Sequence, residues 1–531
     1  MILPHRAGTL LNSRCRCDNK NMRNIISERF AHFFCFFSLL LAFGFGITGC
    51  GSLKSSFNPN KEYPREKLQE DYHLFRNILE DAHPSLYWYS SKDSLNYFFD
   101  YGYQHIRDSM TEPQFRTLLS YVIARVDCGH TSIRYSKKYS KYIDTARLAQ
   151  FPLGIKFWDD SAVVYINVDR RGDSVFKRGT IITAINSVPI TTIRDSLFNY
   201  MVMDGHSMVH KYQTLSNLGN FGGLYQSVYG PTDSFNIHYS DNGIDKTSII
   251  GLYNFKRDPL FRTYLKALPK QTRKERKANN LFNIRNVQVD TTGSTAFMTV
   301  STFSNGNKLR SFFRKNFRLL KEAHIKNLVI DLRFNGGGNV SLSTKLTQYI
   351  VNKKFKLADS LYAVKRLSKY ESHINNSFGA FFIMNFMTKK KSDGHYHFGY
   401  FEHHYFNPKK NDHYNGNVYI LTGGNSFSAS TLFVNALKGQ SNVKIIGEET
   451  GGGAYGNTAW FIPEATLPNT RVRFRLPRFR MVMNKDYPKD GRGIIPDIEV
   501  KPSSDAIKNG YDIKLEYVKK LIYGNPHPAS P

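Results

Sequence analysis

The sequence predicts a multidomain α/β protein, and three observations carry that prediction. A chain of 531 residues is too long for one ordinary hydrophobic core and implies two to four domains. Helical periodicity dominates its front, and strand-length apolar runs dominate the middle. From about Leu281 onward, short apolar strands alternate with helices, the pattern of a parallel sheet with helices on its faces. A content of 41% hydrophobic and 14% aromatic residues is enough for packed cores and excludes global disorder.

Net charge is +30, yet no arginine-rich block or aromatic-interleaved basic stripe concentrates it, which argues against a nucleic-acid partner. Spread basicity suits an anionic envelope surface or acidic substrates. Arg23 and Arg29 precede "FAHFFCFFSLLLAFGFGITGCGS", an apolar run too short and too glycine-rich for an ordinary membrane span. It ends in Ile47-Thr48-Gly49-Cys50, which resembles a bacterial lipobox. That resemblance implies a signal peptide over residues 1–49, lipid attachment at Cys50 and an envelope protein, with an outer-membrane anchor facing the periplasm. Met22 lies nearer the apolar run than Met1 and is a candidate start. Loss of residues 1–49 removes six basic and two acidic residues and leaves +26. It also leaves Cys128 as the sole thiol once Cys50 is acylated, so no intramolecular disulfide is available. No CxxC or HExxH signature appears, and His395, His397, His403, His404 and His413 lack regular spacing and read as solvated loop. Neither metal nor organic cofactor is implied.

After a linker over 50–62, residues 63–149 read as a helical domain. "REKLQEDYHLFRNILEDAHPSLYWY" has helical spacing and stops at His83-Pro84, and "TEPQFRTLLSYVIARV" opens on Thr111 with Pro113 in its first turn. It ends in "DCGHTSIRY". Residues 150–250 turn to strands ("FPLGIKF", "AVVYINV", "GTIITAINSVPI") followed by a helix, an order that resembles a PDZ domain. By that resemblance Leu153, Gly154 and Ile155 stand where a loop captures a peptide carboxylate; a β-domain that only packs is the alternative. Residues 251–280 form a basic surface helix and linker. A core spans 281–505, interrupted by an aromatic- and lysine-rich insertion over 355–415, a lid or a decorated loop. A tail covers 506–531.

Chemistry gathers at two strand-to-helix junctions. "IDLRFNGGGN" places three glycines, 336–338, between strand and helix. "YILTGGNSFSASTLF" places Gly423-Gly424 and a group of hydroxyls in the same position. If the two strands are neighbours, both turns face one crevice at the strands' carboxyl ends, and glycines with open helix N-termini are the material of an oxyanion hole. GGGN lacks the Lys-Ser/Thr of a phosphate-binding loop. In the second turn Ser428 is the best-placed nucleophile, with Ser426 and Ser430 as alternatives that read as an N-cap and an exposed first-turn residue. Spacing alone does not separate the three, and favours caps.

The segments "NLVIDLRFNGGGN", "NSFSASTLFVNALK", "IIGEETGGGAYGN" and "GRGIIPDIEV" occur in an order similar to the core motifs of the C-terminal processing peptidases, serine peptidases that include the tail-specific proteases and the core of tricorn protease. The resemblance covers most of residues 63–503 and implies a ClpP/crotonase-like core. It makes the middle serine, Ser428, the nucleophile. The tail-specific branch uses a lysine where this chain has Gly453, so a serine–lysine dyad is not available there. The tricorn-like branch uses a histidine from the helical front; "CGHTS" matches it and points to His130. Its orienting acid maps to Asp490 in "KDGRGIIPD", with Glu448 and Glu449 as alternatives and Asp497 as a structural contact. Resemblance and geometry together suggest an oxyanion hole from the backbone of Gly337, with Gly338 close behind, plus Ala429.

The expectation is a lipid-anchored serine endopeptidase of envelope proteins or peptides, in which Ser428 attacks, His130 is general base and Asp490 orients it. A catalytically silent peptide- or ligand-binding protein on the same scaffold is the rival. A third reading keeps the triad but cleaves small esters or cell-wall peptides.

Overall fold

The computed structural model describes residues 57–524 apart from 147, 170–174, 291 and 376–377. The signal-peptide segment and Cys50 therefore lie outside the described residues, as do the last residues of the tail.

Three helices, Arg65–Ala82, Lys92–Gln104 and Glu112–Ile123, build the front. The first ends at His83, because a residue preceding proline is driven out of helical backbone. The third opens with the Thr111–Gln114 capping box and Pro113 in its first turn. Their inward faces do not form a closed core of their own. Leu68, Phe75, Phe99 and Leu119 pack in one cluster with Ile374, Ala465, Val472 and Phe474 from far along the chain. Phe75 and Phe474 meet edge to face at 5.2 Å. Buried Asp71 accepts hydrogen bonds from the Thr470 amide (2.8 Å) and hydroxyl (2.6 Å). The short strand Ile133–Arg134 pairs with Arg473–Arg475. These contacts fix the loop 127–132, which carries His130, against the core.

The middle segment is an antiparallel sheet of Leu153–Trp158, Ser161–Asn167, Ile181–Ile185, Ser234–Asp241 and Ile244–Gly251, in that spatial order. The expected carboxylate-binding loop is not found. Leu153, Gly154 and Ile155 belong to the first strand, with Leu153 opposite Asn167 and Gly154 opposite Ile166, and the Leu153 and Ile155 side chains are in the core. The alternating apolar pattern of "PLGIKF" satisfied a half-buried strand before it could serve a loop. Helix Met208–Ser216 lies beside this edge strand, and its Ser216 hydroxyl accepts from the Phe157 amide (2.9 Å).

The core sheet runs Arg285–Asp290, Thr295–Val300, Asn327–Asp331, Asn417–Thr422, Val443–Gly447, Ile498–Glu499. Its first pair is antiparallel and every other pair parallel. Asn327–Asp331 and Asn417–Thr422 are direct neighbours, with Asp331 opposite Leu421. Both glycine-rich turns therefore leave adjacent strands at the same edge of the sheet. The basic segment forms two helices, Pro259–Ala267 and Arg273–Ile284, neither with a buried residue. The insertion is folded into the core. Its strand Ser360–Ala363 joins Phe479–Val482 and Gly456–Ala459 in a second sheet, and Ile374–Asn375 pairs with Glu464–Thr466. His397, expected as solvated loop, is buried there between Glu402 (2.6 Å) and Asp393 (2.9 Å).

Candidate active site

Ser428 occupies the N-cap of helix Ala429–Leu437 with φ 57° and ψ −119° and makes no capping bond. A residue with a β-carbon in this region costs on the order of 1–3 kcal/mol and persists only where its surroundings enforce it. The flanking hydroxyls do the enforcing. Buried Ser426 donates to the Leu332 carbonyl (2.8 Å) and accepts from the Gly423 amide (3.2 Å). Buried Ser430 donates to the Asn335 carbonyl (2.8 Å), which also receives the Phe427 amide (3.1 Å). Both alternatives to Ser428 thus tie its turn to the triple-glycine turn. Ser428 alone is partly exposed, on the wall of a cavity of about 900 Å³.

The glycines follow from this close approach. A β-carbon on Gly337, which has φ +94°, would lie 2.7 Å from Ser428 Cβ and 2.9 Å from the Ala429 nitrogen. Ala429 N–H is the first free amide of its helix and has no acceptor among the described residues. The triple-glycine side differs from expectation. Gly337 N–H is already donated to Asn335 Oδ1 (2.9 Å), whereas Gly338 N–H has no acceptor among the described residues and Gly338 lines the same cavity as Ser428. The open pair of amides is Gly338 and Ala429, because the Asn335 side chain, buried and anchored to the Val300 carbonyl (2.9 Å), turns back on Gly337.

His130 follows a turn closed by Asp127 at φ 52°. Thr131 locks the next position, donating to Cys128 Sγ (3.1 Å) and facing His83 Nε2 (2.8 Å). Burial holds the Cys128 thiol up at about 12, so it is an inert packing group. The His130 ring is 3% exposed and packs at 4.6 Å on Phe427, the residue before Ser428. Neither of its nitrogens has a hydrogen-bond partner among the described residues, so no bond joins it to Ser428 here.

The carboxylate facing His130 is Asp204, not Asp490. Asp204 Oδ1 lies 3.7 Å from His130 Nδ1, its Oδ2 is unpartnered, and it is 2% exposed. Asp490 is an exposed turn residue accepting the Arg492 amide (2.8 Å), as a short acid before glycine commonly is. Its segment supports the site indirectly. The Gly491 carbonyl receives the His206 amide (2.8 Å), and Gly205 sits so close to Gly491 that a β-carbon would come within 2.5 Å. Gly129 N–H then donates to Asp204 Oδ1 (2.7 Å). The alternative acids are occupied elsewhere: Glu448 pairs with Lys514, and Glu449 with Arg492. Asp497 is structural, accepting from Lys438 and from the Ile445 amide. A lysine cannot stand at position 453, since a β-carbon on Gly453 would meet the Gly456 carbonyl at 2.5 Å. A second histidine, His210, stacks on Phe427 at 4.8 Å, but its Nδ1 is engaged by the Gly424 carbonyl (2.7 Å) and burial lowers its pKa.

Sequence reasoning missed Asp204 and His210. The only signal for Asp204 is the Asp-Gly-His break in an apolar stretch, which reads equally as a turn.

The site thus places a serine at positive φ on a strand-to-helix turn, beside open amides and a buried histidine–carboxylate pair, on an α/β scaffold. Residues 294–500 match the model of peptidase family S41. Among solved structures, mature CPAF in complex with lactacystin shares 14% identity over 86% of this chain and 98% of its own, with a TM-score of 0.61. Mature CPAF alone gives 14% identity, 86% and 96% coverage and a TM-score of 0.58. The photosystem II D1 C-terminal processing protease is more distant, at 12% identity over 83% of this chain and 93% of its own, with a TM-score of 0.38. The two CPAF structures show that the multidomain fold, and not the core alone, is shared. No curated protein matches the chain by sequence.

Proposed function

We propose that the protein is a serine endopeptidase. Ser428 Oγ attacks the peptide carbonyl as His130 takes its proton, and the resulting oxyanion is held by the Gly338 and Ala429 amides. His130 then returns the proton to the leaving amine, and water resolves the acyl-enzyme by the same route. Asp204 fixes the imidazole and stabilises its cation. One observation carries this reading. A buried imidazole and a buried carboxylate oxygen, both without hydrogen bonds, sit against the turn that bears a strained, partly exposed serine. Unsatisfied buried polar groups are costly, and a working site is the usual reason to keep them. Substrate binding must bring the Ser428 hydroxyl to the ring, a tightening common to hydrolases between free and bound states.

A fluorophosphonate probe tests this directly. Labelling mapped to Ser428 and abolished in His130→Ala is the expected result; an unlabelled wild-type protein would favour the rival reading of a silent peptide-binding protein.

The envelope location is part of the same proposal. Cys50 closes a lipobox-like motif, so a lipid on its thiol would supply the anchor. Metabolic labelling with a fatty acid, lost in Cys50→Ser, tests it. Substrates would then be envelope proteins or peptides.

A further inference from the structure

We propose that the outer face of the insertion segment Phe378–Met387 docks on an anionic lipid bilayer, so that the cavity beside Ser428 opens next to the membrane surface.

The segment is helical over Phe378–Phe382 and continues as a wider helical turn over Ile383–Met387. Met384 points inward, in a cluster with Leu361, Phe398 and Phe479, and buried Thr388 donates to the Met384 carbonyl. The side chains between them turn outward. Phe386 is 70% exposed, and Phe381, Phe382 and Met387 are each nearly half exposed. The Phe382 and Phe386 rings lie 4.9 Å apart, so they form one patch rather than scattered single residues. A contiguous apolar patch on a protein surface marks a docking site.

The charge around it identifies the occupant. No acidic residue occurs between Glu371 and Asp393, whereas Lys389, Lys390 and Lys391 directly follow the patch. Lys389–Lys390 is the edge strand of its sheet, and both lysines are exposed and without an ion pair among the described residues. Lys391 pairs with Glu402. Nearby, Tyr400 and Tyr405 are about half exposed, and Lys354 lies 5.0 Å over the Tyr405 ring. Ile383, Tyr400 and Phe406 line the cavity that Ser428 and Asn457 also line, which brings the patch and these tyrosines to one opening. Phenylalanines that enter acyl chains, tyrosines with an apolar body and a wet tip, and lysines that reach anionic headgroups are what an interfacial site requires. A second copy of this chain would bring the same cations and be repelled.

Residues 58–531 form one compact unit, so the chain from Gly51 onward can be tested without leader or lipid. The outcome then depends neither on acylation of Cys50 nor on turnover, and its failure would leave the peptidase reading standing. The probes are vesicles of phosphatidylcholine alone and vesicles containing half phosphatidylglycerol, in co-sedimentation at low and at moderate salt. Wild type should bind the anionic vesicles about tenfold or more tighter than the neutral ones, with the preference shrinking in salt. Phe381→Ser/Phe382→Ser/Phe386→Ser should weaken that binding about tenfold or more, and Phe386→Ser alone about threefold. Lys389→Gln/Lys390→Gln should cost about tenfold at low salt. Lys137→Gln/Lys138→Gln is the control for general basicity, because its helix follows Ile133–Arg134, at the opposite edge of the sheet from Ile374–Asn375. It should change binding less than about twofold. The substituted phenylalanines lie outside the buried clusters, so the variants should melt close to wild type; were the triple variant to melt earlier, Phe386→Ser alone decides. Wild type that ignores anionic vesicles, full binding by the phenylalanine variants, or an equal loss in the control overturns the inference. So does a concentration-dependent dimer, in sedimentation equilibrium, that the phenylalanine variants abolish, since a second copy would then cover the patch.

Discussion

Asp204 Oδ1 lies 3.7 Å from His130 Nδ1, although 74 residues separate them in sequence and neither ring nitrogen of His130 is otherwise partnered. The distance is one small rotation from a hydrogen bond, and the low exposure of both groups makes their interaction strong once a proton reaches the ring. Asp204→Asn should therefore lower kcat by about 100- to 10,000-fold with KM little changed, as expected when the carboxylate that holds a tautomer and its cation is lost. Asp490→Asn, by contrast, should keep activity within about twofold, since a surface turn residue seldom matters by more than about 0.5 kcal/mol. Steady-state kinetics of both variants decide between the two acids; the reverse ranking would return the role to Asp490.

The three serines of the second turn should separate by type of defect. Ser428→Ala should abolish hydrolysis and leave stability equal or slightly higher, because it removes a side chain that caps nothing. Ser426→Ala and Ser430→Ala each remove a buried hydrogen bond between the two turns, while the Leu332 and Asn335 carbonyls keep a backbone donor, and should cost about 0.5–1.5 kcal/mol. Because they loosen the turn without removing the nucleophile, partial activity should survive. Thermal denaturation alongside turnover separates the classes.

Much of the core was legible in advance because parallel strands buried on both faces write continuous apolar runs, and "NLVIDLR" and "GNVYILTGG" are of that kind. The turns after them were legible because Gly337 and its neighbours leave no room for other residues. What could not be read were pairings between distant segments. Nothing in "SFSAS" says that Ser426 and Ser430 bond to Leu332 and Asn335. Nothing local shows that Asn335 turns back on Gly337 and leaves the Gly338 amide open. Asp490 misled for the same reason. Its neighbour Gly491 braces the loop of Asp204, so the segment belongs to the site while its acid does not. The insertion gave no periodicity to follow, because its strands are two to four residues long and two of them pair with distant segments, Ser360 with Val482 and Ile374 with Ala465.

Gly337→Ala tests the close packing of the two turns. Its methyl would meet Ser428 Cβ, the Phe427 carbonyl and the Ala429 nitrogen at 2.7–2.9 Å, at a φ that side chains rarely adopt. A loss of about 1–3 kcal/mol of stability is expected. Activity should fall more steeply than stability accounts for, because the displaced groups include the Ala429 amide, the proposed oxyanion donor. Chemical denaturation and kcat measured at a temperature well below the transition separate these effects.

His83 should leave a signature in the pH dependence of stability. Burial lowers its pKa from 6.5 to about 3. Between those values the unfolded chain binds a proton that the folded one refuses, so stability falls as pH drops through that window and is complete above it. Asp127 works against this slope. Its pKa is raised from 3.8 to about 6 by burial, so the folded form holds a proton the unfolded one has lost, and its contribution declines as pH rises to about 6. The His83 effect is therefore best read as a difference between wild type and His83→Gln. That difference should change by about 2 kcal/mol between pH 7 and pH 5, in favour of wild type at the higher value. Urea denaturation of both proteins at the two pH values provides it, and a constant difference would show that His83 does not titrate as its burial requires.

Asn457 sets stability against function most sharply. Its buried amide has no partner on either side, so the folded protein already carries the desolvation penalty of both polar atoms, about 1–3 kcal/mol for each unsatisfied group. Replacing it by an apolar side chain of similar size removes that penalty. Asn457→Leu should consequently hold or raise the melting temperature. If the amide exists to pair with substrate backbone beside Ser428, the same change should reduce kcat/KM by about 10- to 100-fold, most of it in KM, since two hydrogen bonds to the bound peptide are lost. A variant both more stable and fully active would mean that the amide faces solvent-filled space rather than substrate. A variant less stable than wild type would mean that it holds structural water instead.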